Sequence, residues 1–359
     1  MTYKNLEAEI DHLLAYVLEA NASDLHLLAG KPPVIRVDSV LMPAPDHPVY
    51  DEEKLESLIL ILLNDFQKAQ LQKNKQMDFS YDYKGQARFR VNVYYQKGTL
   101  AAALRHIPSK IRTIEELGLP TALLDFAKFR QGLVLFVGPT GHGKSTTLAA
   151  LIDFINHTRA EHIITVEDPI EYLFVQDKSI VSQREVYLDT GSFPTAIRAT
   201  LREDVNVVMV GEMRDLDSIA TTITVAETGH LVFATLHTND APQTVDRIID
   251  VFPSHQQNQI RSQLANILIG VVSQRLLPRI GGGQVAGVEI MRTSTAVRNV
   301  IREARTYELP NIIHTSSEAG MVSLDKSLAD LVKKGLVKLE DGVAFASNQD
   351  LFKSLVKRF

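Results

Sequence analysis

Apolar positions recur with two different periods along the first hundred residues. Leu6, Ile10, Leu13, Leu14, Val17 and Leu18 fall at helical spacing and predict a helix over 3–20. Ala22-Ser23-Asp24-Leu25-His26-Leu27 reads as a turn into a short strand. Gly30 to Pro33 is a second turn, and Val34-Ile35-Arg36-Val37 is a strand with which residues from Leu41 onward can pair. Residues 51–73 are predicted as a second helix, with Leu55, Leu58, Leu60, Ile61 and Leu63 mostly on one side. Runs over 78–83, 88–95 and 100–106 are predicted strands. Together these elements form an α/β domain over 1–106.

Ile107-Pro108-Ser109-Lys110 breaks the pattern and opens a linker taken as 107–118. A helix is predicted over 113–128, at the entry to a second domain over 119–359. From 133 onward, strand-type and helix-type runs alternate. That order predicts a mostly parallel sheet covered on both faces. Gly281-Gly282-Gly283 reads as a turn between two strands, and from about 296 the chain is helical in character to its end.

Composition changes this picture little. With 359 residues, 45% apolar and 23% charged, the chain is an ordinary globular protein of two or three domains. A net charge of −5 gives no global reason to expect nucleic acid as a partner. The absence of cysteine excludes disulfides and cysteine-ligated zinc. No run approaches the roughly 20 apolar residues that cross a bilayer. Met1 to Asp11 is polar, unlike a signal peptide. The expectation is a soluble cytoplasmic protein, able to dock onto a membrane complex.

The chemistry centres on Gly138-Pro139-Thr140-Gly141-His142-Gly143-Lys144-Ser145-Thr146, which fits the P-loop pattern G-x-x-x-x-G-K-[ST]. Its context fits as well. The strand-type run Leu133–Val137 precedes it, and Lys144 to Asn156 has Leu148, Leu151, Ile152 and Ile155 at helical spacing. Glycines let the backbone wrap a polyphosphate with its N–H groups inward, and the helix N-terminus adds partial positive charge. Lys144 is placed to reach the β- and γ-phosphates of ATP, and the Ser145 hydroxyl to bind Mg²⁺.

Two more apolar runs end in acids. Ile163–Val166 leads to Glu167-Asp168, with Glu171 after Pro169, and Val207–Val210 leads to Gly211-Glu212. Ligands of open α/β sheets bind at the C-terminal strand ends, so both runs deliver carboxylates toward the P-loop. Glu212 is the candidate general base. Gly211 leaves no acid at the position beside it, so Glu167 and Asp168 are the candidates for orienting Mg²⁺. The plain alternative is that strand-end acids are solvated or cap a helix.

Thr228-Gly229-His230 and His237-Thr238-Asn239 flank the strand Leu231–Leu236. The two histidines stand seven residues apart, at opposite strand ends, which is poor geometry for one metal ion. His237 either contacts the γ-phosphate or is hydrogen-bonded within the sheet. In the first domain, alternation over 88–94 places Phe89, Val91 and Val93 on one face and Arg88, Arg90, Asn92 and Tyr94 on the other. Arg105 ends the next strand. Arginines supplied in trans stabilise transition-state charge in phosphoryl transfer, although exposed strand faces carry arginines for no such reason.

These residues, in this order, resemble the secretion-type ATPase superfamily, and most closely the type IV pilus retraction ATPases of the PilT family. Ser23–Leu27 with Pro32-Pro33 is similar to the opening of that family's PAS-like N-terminal domain. Gly138–Thr146 is similar to its Walker A motif, Ile164–Tyr172 to its Asp box, Leu201–Asp215 to its Walker B region and Thr228–Asn239 to its His box. Ala296–Glu303 is similar to the C-terminal helix motif of retraction members. Assembly-type relatives carry a further N-terminal domain and usually a four-cysteine zinc motif, for which this chain has neither room nor cysteines.

The resemblance implies a RecA-like ATPase domain with a helical C-terminal part. It also implies a homohexameric ring docked at the inner face of the cytoplasmic membrane, with nucleotide between the domains and Arg90 and Arg105 completing the site. It further implies hydrolysis that returns pilins to the inner membrane through a platform protein, with a second retraction ATPase as a candidate partner. Two departures stand out. His142 occupies a place where the family usually has Ser, so that it either crowds the loop or points outward. Val205-Asn206 replaces a usual Pro-Asp and alters loop stiffness.

Three other readings compete. A different motor of the same superfamily, serving secretion or DNA uptake, is one; residues 296–303 argue for retraction, although some uptake systems share the same motor. A nucleic-acid translocase predicts a basic groove with interleaved aromatics, for which a chain without Trp gives no sign. A scaffold without turnover predicts a lost catalytic acid, yet Glu167 and Glu212 are both present.

Overall fold

The computed structural model describes residues 3–37, 40–45, 47–107 and 110–357. Its chain divides into two compact units, Met1–Lys110 with Asp168–Leu173, and Ile111–Glu167 with Phe174–Phe359. Pro108 and Ser109, at the start of the expected linker, lie outside the described residues, as does Met1.

The first unit begins with α1 (Tyr3–Glu19), β1 (Asp24–Leu27), β2 (Val34–Val37) and β3 (Val40–Pro43). It continues with α2 (Glu52–Leu60), α3 (Asp65–Asn74), β4 (Gln76–Tyr83), β5 (Ala87–Gln96) and β6 (Thr99–Ile107). The strands form one antiparallel sheet in the order β3-β2-β1-β6-β5-β4. Leu13 and Leu14 of α1, Leu55 and Leu58 of α2, and Phe89, Val91 and Val93 of β5 share one buried core. The polar side of β5 therefore carries Arg88, Arg90 and Asn92, as its alternation predicts.

The helix expected over 51–73 is two helices. Asn64 interrupts it with a capping box, accepting the Gln67 N–H at 2.9 Å while the Gln67 side chain accepts the Asn64 N–H at 2.9 Å. A local cap outweighs an apolar pattern that runs on across the break.

In the second unit, β7 (Gly132–Val137) leads into α4 (Lys144–Thr158), followed by β8 (His162–Glu167), β9 (Ile180–Glu185), α5 (Phe193–Ala199), β10 (Val207–Val210) and α6 (Leu216–Glu227). Then come β11 (Leu231–Leu236), α7 (Ala241–Asp250), α8 (Ser254–Ile267), β12 (Leu268–Pro278) and β13 (Gln284–Arg292). The sheet order is β13-β12-β7-β11-β10-β8-β9. Every neighbouring pair is parallel except β12 with β13. Strands β7, β10 and β11 are buried along their whole length, as a sheet covered on both faces requires. Gly281–Gly283 make the β12–β13 turn, all three at positive φ.

The expected helix over 113–128 is absent. A turn ends at Gly118 (φ +67), Pro120 follows, and Thr121–Lys128 forms a 3₁₀ helix. Glycine in the left-handed region and proline together stop an α-helix before it can form. After β13 the chain is helical: α9 (Thr295–Arg302), α10 (Leu309–Thr315), α11 (Leu324–Lys333), α12 (Leu339–Phe345) and α13 (Gln349–Lys357). Leu328 and Phe352 anchor α11 and α13 in a small core with Leu277 of β12.

Candidate active site

The P-loop connects the end of β7 to the start of α4. Gly138 (φ +140) passes so close to β12 that a Cβ there would lie 2.4 Å from the Gln274 carbonyl oxygen. A Cβ on Gly143 (φ +80) would lie 2.7 Å from Gln274 Nε2. Gly138 demands glycine for approach as well as for conformation, and Gly143 for its conformation, since there a Cβ would meet the end of a side chain. Gln274 itself is buried; its Nε2 donates to the His142 carbonyl at 2.9 Å and its Oε1 accepts the Thr147 hydroxyl at 2.8 Å. Sequence reasoning missed this residue. The available signal was the polar triplet Ser273-Gln274-Arg275 between the apolar stretches of β12, whose buried members must find partners.

His142 neither crowds the loop nor points outward. Its Nδ1 accepts the backbone N–H of Leu276 at 2.9 Å. Burial, then the cations Arg275 and Lys144, hold its pKa below the ordinary imidazole value. The other departure is equally tied down. Asn206 Oδ1 accepts the His162 N–H at 2.9 Å, and the Asn206 N–H reaches the His162 carbonyl at 2.9 Å, while Val205 is buried in the core.

Lys144 is buried at the start of α4. Its Nζ donates to the carbonyls of Gly138 at 2.7 Å and Pro139 at 2.9 Å, and stands 3.4 Å from His237 Nδ1. Thr140 Oγ1 is also 3.4 Å from that nitrogen. On the far side of the ring, His237 Nε2 lies 3.0 Å from Glu212 Oε1, and Arg214 Nη2 lies 2.8 Å from Glu212 Oε2. An ammonium has only donors to offer, so Nδ1 is the accepting nitrogen and the Nε2 proton is directed at Glu212. The P-loop and the ends of β11 and β10 are thereby joined in one polar line. Burial pushes the Glu212 carboxyl up, but Arg214 and His237 outweigh it and hold the pKa below the ordinary glutamate value. Glu212 is an ionised acceptor, the form a general base needs.

Gly211 has a steric reason for lacking a side chain. A Cβ there would stand 3.1 Å from the Val166 carbonyl and 3.3 Å from Glu167 Cα on the neighbouring β8. Glu167 ends β8 and is buried, accepting from Thr165 Oγ1 at 2.7 Å and Gln183 Nε2 at 3.3 Å. Asp168, one residue on, belongs to the first unit. Ser145 is exposed in the first turn of α4, whose N-cap Gly143 makes no side-chain cap. The first-turn amides fit a phosphate, and this hydroxyl fits a cation bound to that phosphate. Among the described residues, no three His, Asp or Glu side chains gather to hold a metal by themselves.

At the other end of β11, His230 Nδ1 lies 3.1 Å from the Val225 carbonyl oxygen. A hollow of about 730 Å³, lined in part by Phe129, Gly132, Leu268 and Arg298, opens at the N-terminal ends of β7 and β12. It is therefore a strand length away from the P-loop.

In the first unit, Arg90 and Arg105 are direct cross-strand neighbours on β5 and β6. Like charges directly opposite are costly, and each is offset by a carboxylate. Arg90 Nη2 lies 2.6 Å from Asp78 and its Nη1 3.5 Å from Glu171, while Arg105 Nε lies 2.9 Å from Asp24. The Arg105 side chain remains 71% exposed, against 40% for Arg90.

A P-loop at the C-terminal edge of a largely parallel sheet, with an ionised carboxylate and a histidine on the adjoining strand ends, defines a P-loop nucleoside triphosphatase. The family model described as "Type II/IV secretion system protein" matches residues 2–336. The chain belongs to that family and is one of its ATPases. It is 46% identical to the type IV pilus retraction ATPase PilT of Pseudomonas aeruginosa over 93% of this chain and 96% of that one. It is 38% identical to the type IV pilus ATPase PilU of the same organism over 97% and 91%. A crystal structure of the pilus retraction motor PilT with bound ADP superposes with a TM-score of 0.89 at 45% identity, covering 96% of this chain and 99% of that one.

Proposed function

We propose that this chain is a homohexameric motor that couples ATP hydrolysis to type IV pilus retraction from the inner face of the cytoplasmic membrane. The observation carrying the hydrolysis is the polar line from Lys144 through His237 to Glu212. In this reading the P-loop amides and Lys144 hold the β- and γ-phosphates, and His237 registers the γ-phosphate. Glu212 takes the proton of the attacking water while Arg214 and His237 fix its carboxylate. Ser145 would hold Mg²⁺, Glu167 and Asp168 would orient its waters, and the ion when bound would offset charge on the phosphate oxygens. Arg90 and Arg105 act on nucleotide held by a neighbouring protomer.

The likeness to PilT over almost the whole chain and the α9 segment Ala296–Glu303 favour retraction. The likeness to PilU keeps a companion role within the same pilus machinery in play as an outcome of the test. The platform protein of the pilus base is the expected partner.

The test is ATPase rate and mass by light scattering, with and without Mg-ATP, followed by pilus retraction in cells lacking the chain. A hexamer that hydrolyses ATP, and cells that extend but do not retract pili, are expected. A monomer without turnover, or cells that retract normally, overturns the reading. For the arginines, rings mixed from Arg90→Ala and Lys144→Ala subunits are expected to regain activity that neither parent has.

A further inference from the structure

We infer that His142 is a positioning residue of the phosphate loop, a peg that fixes the loop to strand β12 and so sets its readiness for a nucleotide. The inference rests on the P-loop as the nucleotide site and concerns how this chain holds it in shape.

The need for such a peg follows from strand lengths. β12 runs parallel to β7, but their pairing ends at Ser273 with Val137, because β7 stops there and becomes the P-loop. Beyond Ser273, the edge of β12 toward β7 has no strand to pair with. Leu276 lies on that stretch, and its N–H is taken by His142 Nδ1 at 2.9 Å. The loop side chain thus continues the ladder by one bond where the backbone has turned away. An unpaired amide at such an edge is costly when buried.

The attachment has a second point. The His142 carbonyl accepts Gln274 Nε2 at 2.9 Å, so backbone and side chain of one loop residue are both bound to β12. Gln274 also accepts from Thr147 Oγ1 at 2.8 Å and ties the first turn of α4 to the same strand. A serine at this position is too short to reach Leu276, so this chain holds its loop by a contact that the resembled pattern lacks. A loop already held in shape loses less freedom when it closes on a polyphosphate. The peg therefore acts on nucleotide affinity more than on the chemical step.

Asparagine places Oδ1 where histidine places Nδ1, whereas glutamine carries its acceptor one carbon further out. The experiment measures Mg-ADP dissociation constants and steady-state KM and kcat for ATP in the full chain, for His142→Asn, His142→Gln and His142→Ala. The expected order of affinity is wild type, then Asn, then Gln and Ala. Gln and Ala should be weaker by about fivefold, the worth of one neutral hydrogen bond, with KM moving more than kcat. Equal affinity in Asn and Gln, or an Ala variant as tight as wild type, overturns the peg. The Asn and Gln variants are alike in size and polarity, so their comparison stands even where Ala misfolds. A wild-type chain that binds no nucleotide contradicts the P-loop reading itself, a different result from any reordering among variants.

Discussion

His237 Nε2 stands 3.0 Å from Glu212 Oε1, joining the end of β11 to the end of β10 directly behind the phosphate loop. The pair fixes the orientation of the carboxylate, and Arg214 holds its other oxygen. Glu212→Gln keeps the shape and removes the proton acceptor. Turnover is expected to fall by roughly 10²–10⁴-fold, the usual contribution of a positioned general base, while nucleotide binding persists. Single-turnover hydrolysis beside an equilibrium binding curve checks this; a variant with wild-type turnover would falsify the assignment of the base.

Arg214→Ala tests the electrostatics of the same group. Burial raises the Glu212 pKa, and Arg214 with His237 more than offsets it. Without Arg214, burial is opposed only by His237 and the carboxyl moves up. The acid limb of kcat, set by protonation of the base, should shift to higher pH, with less change on the alkaline side. A pH–rate profile of the variant that overlays the wild type would show that another group controls the acid limb.

Gly211→Asp would restore an acid beside Glu212 but cannot be accommodated freely. The new Cβ would meet the Val166 carbonyl at 3.1 Å and Glu167 Cα at 3.3 Å. A loss of about 1–3 kcal/mol in stability is expected, as for other overpacked interior sites. Because the displaced strand end carries Glu167, ATPase activity should fall with it. Denaturant unfolding and turnover on one preparation decide the matter.

Glu289 gives a stability prediction with a definite sign. Burial, with Asp240 and Asp325 nearby, raises its pKa to about 7, and the Ala241 N–H at 3.3 Å opposes this only in part. The folded chain then keeps a proton that the unfolded chain releases above the ordinary glutamate range. The native state therefore loses stability as pH rises toward about 7 and little more above it. Glu289→Gln removes that loss. The variant should melt higher than wild type at pH roughly 8, with the difference fading toward pH roughly 5. The opposite trend would place an ionised carboxylate at this site.

Much of this molecule was legible in the chain because its signals are local. Strand β5 of the first unit, and its polar face with Arg90, follow from period-2 alternation. The P-loop needs only its own glycines, Lys144 and the flanking strand and helix. Glu212 and His237 were found as residues at strand ends, since parallel sheets bring such ends together. The break at Asn64 was local too, but a continuous apolar stripe concealed a capping box.

What the sequence by itself determined was the class of the protein and the candidate groups for its site. Tertiary structure alone decided how those groups are held. Gln274 lies 132 residues from the carbonyl it supports, and Leu276 lies 134 residues from the imidazole that meets it. The clearance that keeps Gly211 bare belongs to β8, a different strand. Short-range patterns encode which backbone a segment adopts. The partner of a buried polar atom depends on which strands become neighbours, and that is settled only when the sheet closes its order and its core is packed.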